Sequence, residues 1–167
     1  MMSLLCMLFL AAAEPTQTVE KLGPVEVGAT FPIFGGYTAA GNYYSFRRNI
    51  GKQDLMVVSY FATWCKPCKK HLPVMEAFIN AHPNVNGVYI ALEKKATPVQ
   101  RFAEQLKLKT PIVMDKFETI AKRHGVIIEG QNPSIPKTFL INKEGHVQSI
   151  IVLEGEDFET ILRNALK

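Results

Sequence analysis

Two cysteines, Cys65 and Cys68, are the residues of this sequence best suited to chemistry. They follow the apolar run Leu55–Phe61 and stand at the beginning of a helix-like stretch that continues to Ala81. Two thiols with this spacing, at the start of a helix and just after a buried strand, are placed for reversible disulfide chemistry. A thiol there faces unpaired backbone N–H groups and the positive end of the helix dipole, and both stabilise a thiolate.

The residues around the two cysteines indicate a division of roles. We expect Cys65, the more exposed cysteine, to be the nucleophile, and Cys68, one turn into the helix, to resolve the mixed disulfide. Pro67 suits a first helical turn, where no N–H is needed. Lys66 adds a positive charge that favours the thiolate, although an exposed lysine contributes little. We expect Trp64 to pack beside the pair and to offer an apolar platform to the substrate.

A second element, residues 134–138 (SIPKT), directly precedes an apolar run. Proline cannot donate to a strand ladder, so Pro136 must lie at the first position of that strand or outside it. A cis Ile135–Pro136 bond would make the turn sharp and leave the backbone of Ile135 free to pair with an extended substrate. The dipeptide alone leaves both isomers open, because most such bonds are trans.

The elements that must position these residues alternate between strands and helices. Apolar runs predict strands at 55–61, 85–92, 111–114, 138–141 and 147–152. Helical periodicity and end signals predict helices from the cysteines to 81, then at 97–106, 117–124 and 157–166. Residues 31–34 predict an edge strand, the glycines at 35 and 36 a turn, and residues 43–46 a short strand. This order predicts an α/β fold with helices on both faces of the sheet.

Composition sets limits on the class of protein. The chain has 167 residues, of which 47% are hydrophobic and 20% charged, as is ordinary for one soluble globular domain. The formal net charge is +4, with lysines and arginines scattered singly and in pairs. Because no basic cluster is interleaved with aromatic residues, we do not expect nucleic-acid binding.

The N-terminus carries the pattern of a secretory leader. Residues 4–13 form an apolar run that ends in three alanines, which predicts a signal peptide over 1–13 with cleavage after Ala13. No lysine or arginine precedes the run, and the alternative is a buried N-terminal helix in a cytosolic protein. We therefore expect a flexible lead-in over 14–24, one domain over 25–167, and a periplasmic or secreted location.

Cleavage at this point has two consequences. It would remove Cys6, so that Cys65 and Cys68 would be the only cysteines of the mature chain, without a structural disulfide framework. The apolar run is also too short to span a bilayer, so membrane contact is expected only through this segment if it stays uncleaved.

Three motifs together resemble the thioredoxin superfamily, and within it the TlpA/ResA-like secreted branch. They are residues 61–70 (FATWCKPCKK) with Pro73 after them, residues 135–145 (IPKTFLINKEG), and residues 27–34 (VGATFPIF). The resemblance covers residues 25–167. It implies a thioredoxin-like fold, with a central mixed β-sheet flanked by helices and an N-terminal β-hairpin. It also implies a redox-active Cys65–Cys68 disulfide and a cis proline at Pro136.

The same resemblance implies a thiol–disulfide oxidoreductase that needs no cofactor or metal. Its partners would be protein thiols and disulfides, such as those of apocytochrome c, and an upstream redox donor, for which a membrane-bound protein is one candidate. The resemblance favours a reductant. The cations around the cysteines favour an oxidant instead, because stabilising the reduced thiolate makes a stronger oxidant.

Three features depart from the family pattern. Ser59 stands where thioredoxins usually place a buried Asp that helps to deprotonate the second cysteine. His71 stands where some members of the branch carry Glu; a charged His71 would stabilise a thiolate, and a plain exposed helix residue is the equal alternative. Residues 129–134 lengthen the link to Pro136, either as a neutral surface loop or as a determinant of partner choice.

Three other functional classes stay open. A peroxiredoxin shares the fold, but that family places Thr or Ser three residues before its attacking cysteine, where this chain has Ala62. A copper-handling or other metal-binding protein could use Cys65, Cys68 and His71, although structural zinc usually needs four ligands. The third class is a redox-inert binding module, against which the two cysteines at the reactive positions argue.

Overall fold

The computed structural model of the protein describes residues 24–152 and 158–166. The strands are β1 (Gly35–Tyr37), β2 (Tyr43–Ser45), β3 (Leu55–Phe61), β4 (Val85–Ala91), β5 (Ile112–Met114), β6 (Lys137–Asn142) and β7 (Val147–Ile151). The helices are α1 (Phe46–Asn49), α2 (Lys66–Ala81), α3 (Ala96–Leu106), α4 (Thr119–Arg123) and α5 (Phe158–Asn164). The first two strands form a separate antiparallel hairpin.

The main sheet is mixed and has five strands in the order β5-β4-β3-β6-β7. Strands β3, β4 and β5 are parallel, whereas β6 runs antiparallel to β3 and β7 antiparallel to β6. Every residue of β3 is buried, as its continuous apolar sequence requires of a strand covered on both faces. The ends of β3, β4 and β5 and the start of β6 meet at one border of the sheet, here called the carboxyl edge.

Different elements cover the two faces of the sheet. On one face, here called the sulfur face, α2, α3 and α5 bury Cys68, Phe102 and Leu162 in one core cluster. On the other, here called the aromatic face, α4 and the chain before β1 form a second cluster that includes Phe31 and Phe34. Buried apolar surface on both faces is the main source of the fold's stability.

The chain before β3 protects both outer strands of the sheet. The N–H of Gly28 donates to the carbonyl of Val147 at 2.8 Å beside β7, and the N–H of Ala39 donates to the carbonyl of Ile112 at 2.8 Å beside β5. These isolated bridges shield part of each outer strand, where another chain could otherwise add.

The N-terminal hairpin is predicted correctly in kind, but the predicted position of its first strand is wrong. Residues 31–34 are not a strand, because Pro32 has no N–H for a ladder and Phe31 is buried on the aromatic face. The strand begins at Gly35, a residue predicted to lie in a turn. A Cβ at Gly35 would lie 2.5 Å from the hydroxyl of Tyr43, so a larger residue there would require this exposed side chain to shift.

The remaining elements confirm the α/β, thioredoxin-like fold. The predicted central strand at 55–61 coincides with β3, and α2 continues to Ala81 with Pro73 inside it. The predicted signal peptide and all but the last residue of the lead-in lie outside the described residues, as does Asp157 at the predicted start of the last helix. None of the helices in the described ranges is long and apolar enough to cross a membrane.

Candidate redox site

The turn between β3 and α2 presents the two cysteines at the carboxyl edge. Cys65 is the N-cap of α2 and forms a disulfide with Cys68, with an S–S length of 2.01 Å and a Cα–Cα distance of 5.3 Å. The backbone N–H of Cys68 donates to Sγ of Cys65 at 3.2 Å. This N–H belongs to the first turn of the helix, where it has no carbonyl partner within the helix. After reduction of the disulfide, it is placed to stabilise a Cys65 thiolate.

The two cysteines are buried, whereas the residues next to them are partly or largely exposed. The exposed fraction is 4% for Cys65 and 0% for Cys68, so Cys65 is the cysteine that a partner reaches with the smaller rearrangement. Trp64 is 62% exposed and forms an apolar surface immediately before the pair. Lys66 is exposed at the first position of α2, and Pro67 is half-buried at the second. The structure thus brings these predicted site residues together in one turn.

Ser59 occupies the position of the usual buried acid and is paired with a second hydroxyl. It is fully buried on β3, and its Oγ lies 2.8 Å from Oγ1 of Thr138 on β6. The Thr138 hydroxyl also lies 3.7 Å from Sδ of Met75 on α2. The two hydroxyls satisfy each other without a charge, which avoids the cost of burying a carboxylate. A proton acceptor for Cys68 therefore does not stand at this position.

The bond between Ile135 and Pro136 is cis, as the resemblance implies. Pro136 is buried, and half-buried Ile135 packs against the core cluster that contains both cysteines. The N–H of Ile135 donates to the carbonyl of Pro133 at 3.1 Å, so the expectation that its whole backbone is free is wrong. Within the described chain the carbonyl of Ile135 accepts no hydrogen bond. Only this carbonyl is therefore available for the predicted pairing with an extended substrate.

Lys137, directly after Pro136, is a buried cation that the sequence does not single out. It is 9% exposed, its Nζ donates to the carbonyl of Gly125 at 3.0 Å, and it lies 5.5 Å from the ring centre of Phe139. Burial lowers the pKa of Lys137. The contact ties the start of the long link 125–136 to its end. Lysines are mostly exposed, so nothing in the sequence marks this one as buried.

Glu93 is a second site residue that sequence reasoning missed. It follows β4 at the carboxyl edge, and its Oε1 accepts the N–H of Thr63 at 3.0 Å and also the Thr63 hydroxyl. Thr63 lies two residues before Cys65, so Glu93 anchors the cysteine turn to the end of the neighbouring strand. Its position in the sequence offers a signal, because a polar residue just after a core strand of a parallel sheet lies at the same edge as the cysteines.

Glu76 is a buried carboxylate on α2 that serves the scaffold. It accepts the backbone N–H of Lys109 at 2.8 Å and of Thr110 at 3.2 Å, and the hydroxyl of Tyr89 at 3.1 Å. Burial, followed by the charge of Glu76, raises the pKa of Tyr89. Glu76 lies eight positions after Cys68 in the helix, which is about 12 Å along the axis. The carboxylate therefore fastens α2 to the chain entering β5 and lies too far away to exchange a proton with Cys68.

The structure also bears on the alternative sites. Ala62 is fully buried, so the position that carries a hydroxyl in peroxiredoxins is apolar here. His71 is half-buried on α2, two turns from the N-cap. Within residues 24–152 and 158–166, no group of three or more His, Cys, Asp or Glu side chains is arranged to hold a metal ion.

Comparison with known proteins places this site in a family. A profile of the AhpC/TSA family matches residues 27–150, which is more than half of the chain. The thiol–disulfide oxidoreductase ResA of Bacillus cereus is 32% identical over 150 residues, covering 89% of this chain and 81% of the relative. A thioredoxin-family thiol:disulfide interchange protein from Chlorobium tepidum superposes with a TM-score of 0.69 at 29% identity, covering 85% of this chain and 99% of that one. StoA from Bacillus subtilis superposes with a TM-score of 0.63 at 27% identity, covering 81% and 97%.

The fold and the cysteine pair define a thioredoxin-like protein, and the chain belongs to the AhpC/TSA family. Within that family it is a thiol–disulfide oxidoreductase of the ResA type. Its substrates are accordingly protein thiols or disulfides, with which a cysteine pair exchanges electrons through a mixed disulfide.

Proposed function

We propose that the protein reduces disulfide bonds of other proteins outside the cytoplasm, with Cys65 as nucleophile and Cys68 as resolving cysteine. The observation that carries the roles of the two cysteines is the hydrogen bond from the N–H of Cys68 to Sγ of Cys65, at 3.2 Å, at the start of α2. The reducing direction is proposed on the similarity to ResA. A thiol that accepts such a bond at a helix N-terminus ionises more easily than a free thiol, and the thiolate is the attacking species. Exposed Trp64 and the Ile135 carbonyl supply a contact surface for the client.

The reaction consists of two exchanges. The Cys65 thiolate attacks one sulfur of the client disulfide, a mixed disulfide forms, and one client thiolate leaves and takes up a proton. The Cys68 thiolate then attacks Sγ of Cys65, releases the second client thiolate and restores the Cys65–Cys68 disulfide. The client disulfide gains two electrons and the protein loses two, so an upstream donor must reduce the protein again before the next cycle.

Replacing each cysteine separately tests the division of roles. Cys65→Ser should abolish reduction of a protein disulfide such as that of insulin, because no attacking sulfur remains reachable. Cys68→Ser should still attack but should accumulate the mixed disulfide, which is visible as a client adduct on a non-reducing gel. Full turnover by the Cys65 variant would overturn the mechanism.

The reduction potential of the cysteine pair tests the direction of electron flow. A value near that of thioredoxin, about −270 mV, supports a reductant, whereas a value near −120 mV supports an oxidant and would overturn the proposal. Oxidised apocytochrome c is the first client that we propose to assay, on the strength of the resemblance to the ResA branch. Failure with this client alone would change the named substrate and leave the reductant assignment intact.

The proposed location rests on the leader pattern of residues 1–13. Expression of the full chain in a bacterium with a periplasm, followed by sequencing of the mature N-terminus, is the direct test. We expect the mature chain to begin at Glu14 and to be recovered from the periplasm. Recovery from the cytoplasm with the leader intact would contradict the proposed location.

A further inference from the structure

A cavity of about 350 Å³ opens beside the cysteine turn, between the ends of β4 and β5. Its connection to the turn is direct, because Glu93 lines the cavity and also accepts the hydrogen bonds of Thr63. A group bound in this cavity would therefore lie next to the segment that carries Cys65.

Three exposed lysines line this cavity, here called the lysine cavity: Lys94, Lys95 and Lys116. Within the described residues, none of the three ammonium groups forms a hydrogen bond or an ion pair. Ammonium groups without an ion pair are available to an anion from solution.

The carboxylates of the same cavity are engaged elsewhere. Glu93 is bonded to the cysteine turn, and buried Asp115 accepts the backbone N–H of Ala121 at 2.7 Å. Glu118 lies 3.6 Å from the ammonium group of Lys122. Hydrogen bonds to neutral N–H and O–H groups leave the charges of Glu93 and Asp115 in place, so three lysines and three carboxylates line the cavity. The excess of positive charge at this edge of the sheet comes from the lysines around the cavity.

The surface around the cavity is also rich in exposed lysines. Lys66, Lys69 and Lys70, on the first turns of α2, are exposed and without an ion pair in the described part of the chain. Two aromatic side chains interrupt the cations, Trp64 at 62% exposure and Phe117 at 83%. Exposed aromatic side chains next to charged groups are typical of sites that contact another protein.

We infer that the lysine cavity binds an acidic side chain of the client protein close to its cysteine, while Trp64 and Phe117 contact apolar residues of the same segment. The inference rests on the proposed function and names its substrate class, a disulfide flanked by Asp or Glu. A single exposed ion pair contributes little, but several cations together accelerate association with an anionic partner. Because the cations are exposed, this selectivity should weaken as salt is added.

Matched peptides provide the test. Three synthetic peptides carry the same disulfide and differ only in flanking Asp and Glu, Ser and Asn, or Lys residues. The second-order rate constant for their reduction by the reduced protein is divided by the rate with dithiothreitol, which corrects for the intrinsic reactivity of each disulfide. At low salt we expect the acidic peptide to react about tenfold faster than the neutral one, and the lysine peptide to be slowest. High salt should reduce the differences between the rate constants of the three peptides.

Charge removal locates the effect. The triple variant Lys94→Gln, Lys95→Gln, Lys116→Gln should lose most of the preference for the acidic peptide and still reduce the neutral one. The matched control removes three exposed lysines at the opposite border of the sheet: Lys52, Lys109 and Lys143. Equal loss of preference in both triple variants would overturn the inference.

The outcomes separate this inference from the proposed function. Equal corrected rates for the acidic and neutral peptides with the wild-type protein would overturn the acidic substrate class and leave the reductase assignment standing. Reduction of none of the peptides, nor of insulin, would overturn the proposed function and the inference with it.

Discussion

The two faces of the sheet bury different polar groups beside the same pair of strands. Ser59 and Tyr60 are neighbours on β3 and point to opposite faces, as do Thr138 and Lys137 on β6. On the sulfur face, the Ser59 and Thr138 hydroxyls pair with each other at 2.8 Å. On the aromatic face, Tyr60 is hydrogen-bonded to Nδ1 of buried His124, and Lys137 donates to a carbonyl.

The redox chemistry of the cysteines and the loss of stability in acid therefore depend on groups on opposite faces of the sheet. At the Ser59 position no ionisable group faces the cysteine side, so stabilisation of the thiolate falls to the start of α2. His124, buried on the aromatic face, lies across the sheet from the cysteines, and its lowered pKa makes the free energy of unfolding fall in acid. Substitutions on one face should therefore leave the property governed by the other face unchanged.

The largest expected effect is the loss of stability in acid that His124 causes. Burial, and secondarily the charge of Arg123, lowers the pKa of His124 to about 3, against 6.5 for the ordinary side chain. As the pH falls from about 6.5 towards 3, the unfolded chain binds a proton that the folded chain refuses. The free energy of unfolding should therefore fall by up to about 1.4 kcal/mol per pH unit in this window. Urea unfolding at pH 7, 5.5 and 4.5 measures the slope.

The variant His124→Gln isolates this contribution. It should be less stable at pH 7, because an amide replaces the imidazole ring that packs against Phe31 and Phe34, but its stability should change less between pH 6.5 and 4.5. Burial raises the pKa of Asp115, which acts in the opposite sense in both proteins and cancels in their difference. His146→Gln, at an exposed position, is the matched control. If the free energy of unfolding changed with pH in the same way in wild type and His124→Gln, His124 would not be the cause of the instability in acid.

A smaller effect is expected on the sulfur face. Ser59→Ala leaves the buried Thr138 hydroxyl without its oxygen partner and should cost about 1–3 kcal/mol of unfolding free energy. The reduction potential of the cysteine pair and its pH dependence should not change, because the hydroxyl pair accepts no proton. Thr138→Val and the double variant complete the cycle. A changed pH dependence of the potential in Ser59→Ala would show that this hydroxyl takes part in proton movement.

Local patterns explain how much of the fold could be predicted. The buried strand at 55–61, the helix that starts at the cysteines, and the alternation of strands and helices follow from apolar periodicity and end signals in short windows of sequence. The cysteine pair could be found for the same reason, since its spacing is local. The first strand of the hairpin is not predictable in the same way, because Gly35 and Gly36 locally indicate a turn and are in a strand through pairing with Ser45 and Tyr44.

The missed site residues depend on contacts between distant segments. Glu93 accepts hydrogen bonds from Thr63, thirty residues away, and buried Lys137 donates to the carbonyl of Gly125, twelve residues away. Neither residue type signals such a role by itself, because exposed Glu and Lys are the rule. The same limit applies to Ser59, whose departure from the family pattern was visible but whose partner Thr138 was not.

The smallest expected effect is at Glu93, where a carboxylate does reach the cysteine turn. Glu93→Gln keeps a carbonyl oxygen to accept from Thr63 but removes the charge, whereas Glu93→Ala removes both. A nearby negative charge opposes a thiolate, so Glu93→Gln should favour the reduced pair about two- to threefold in equilibrium with glutathione. Glu93→Ala should add a loss of about 1 kcal/mol in unfolding free energy. Glu118→Gln is the control, because it removes a charge from the same cavity without changing the contact with Thr63. An equal shift of the redox equilibrium in Glu118→Gln would show that the hydrogen bond from Thr63 to Glu93 does not cause the effect.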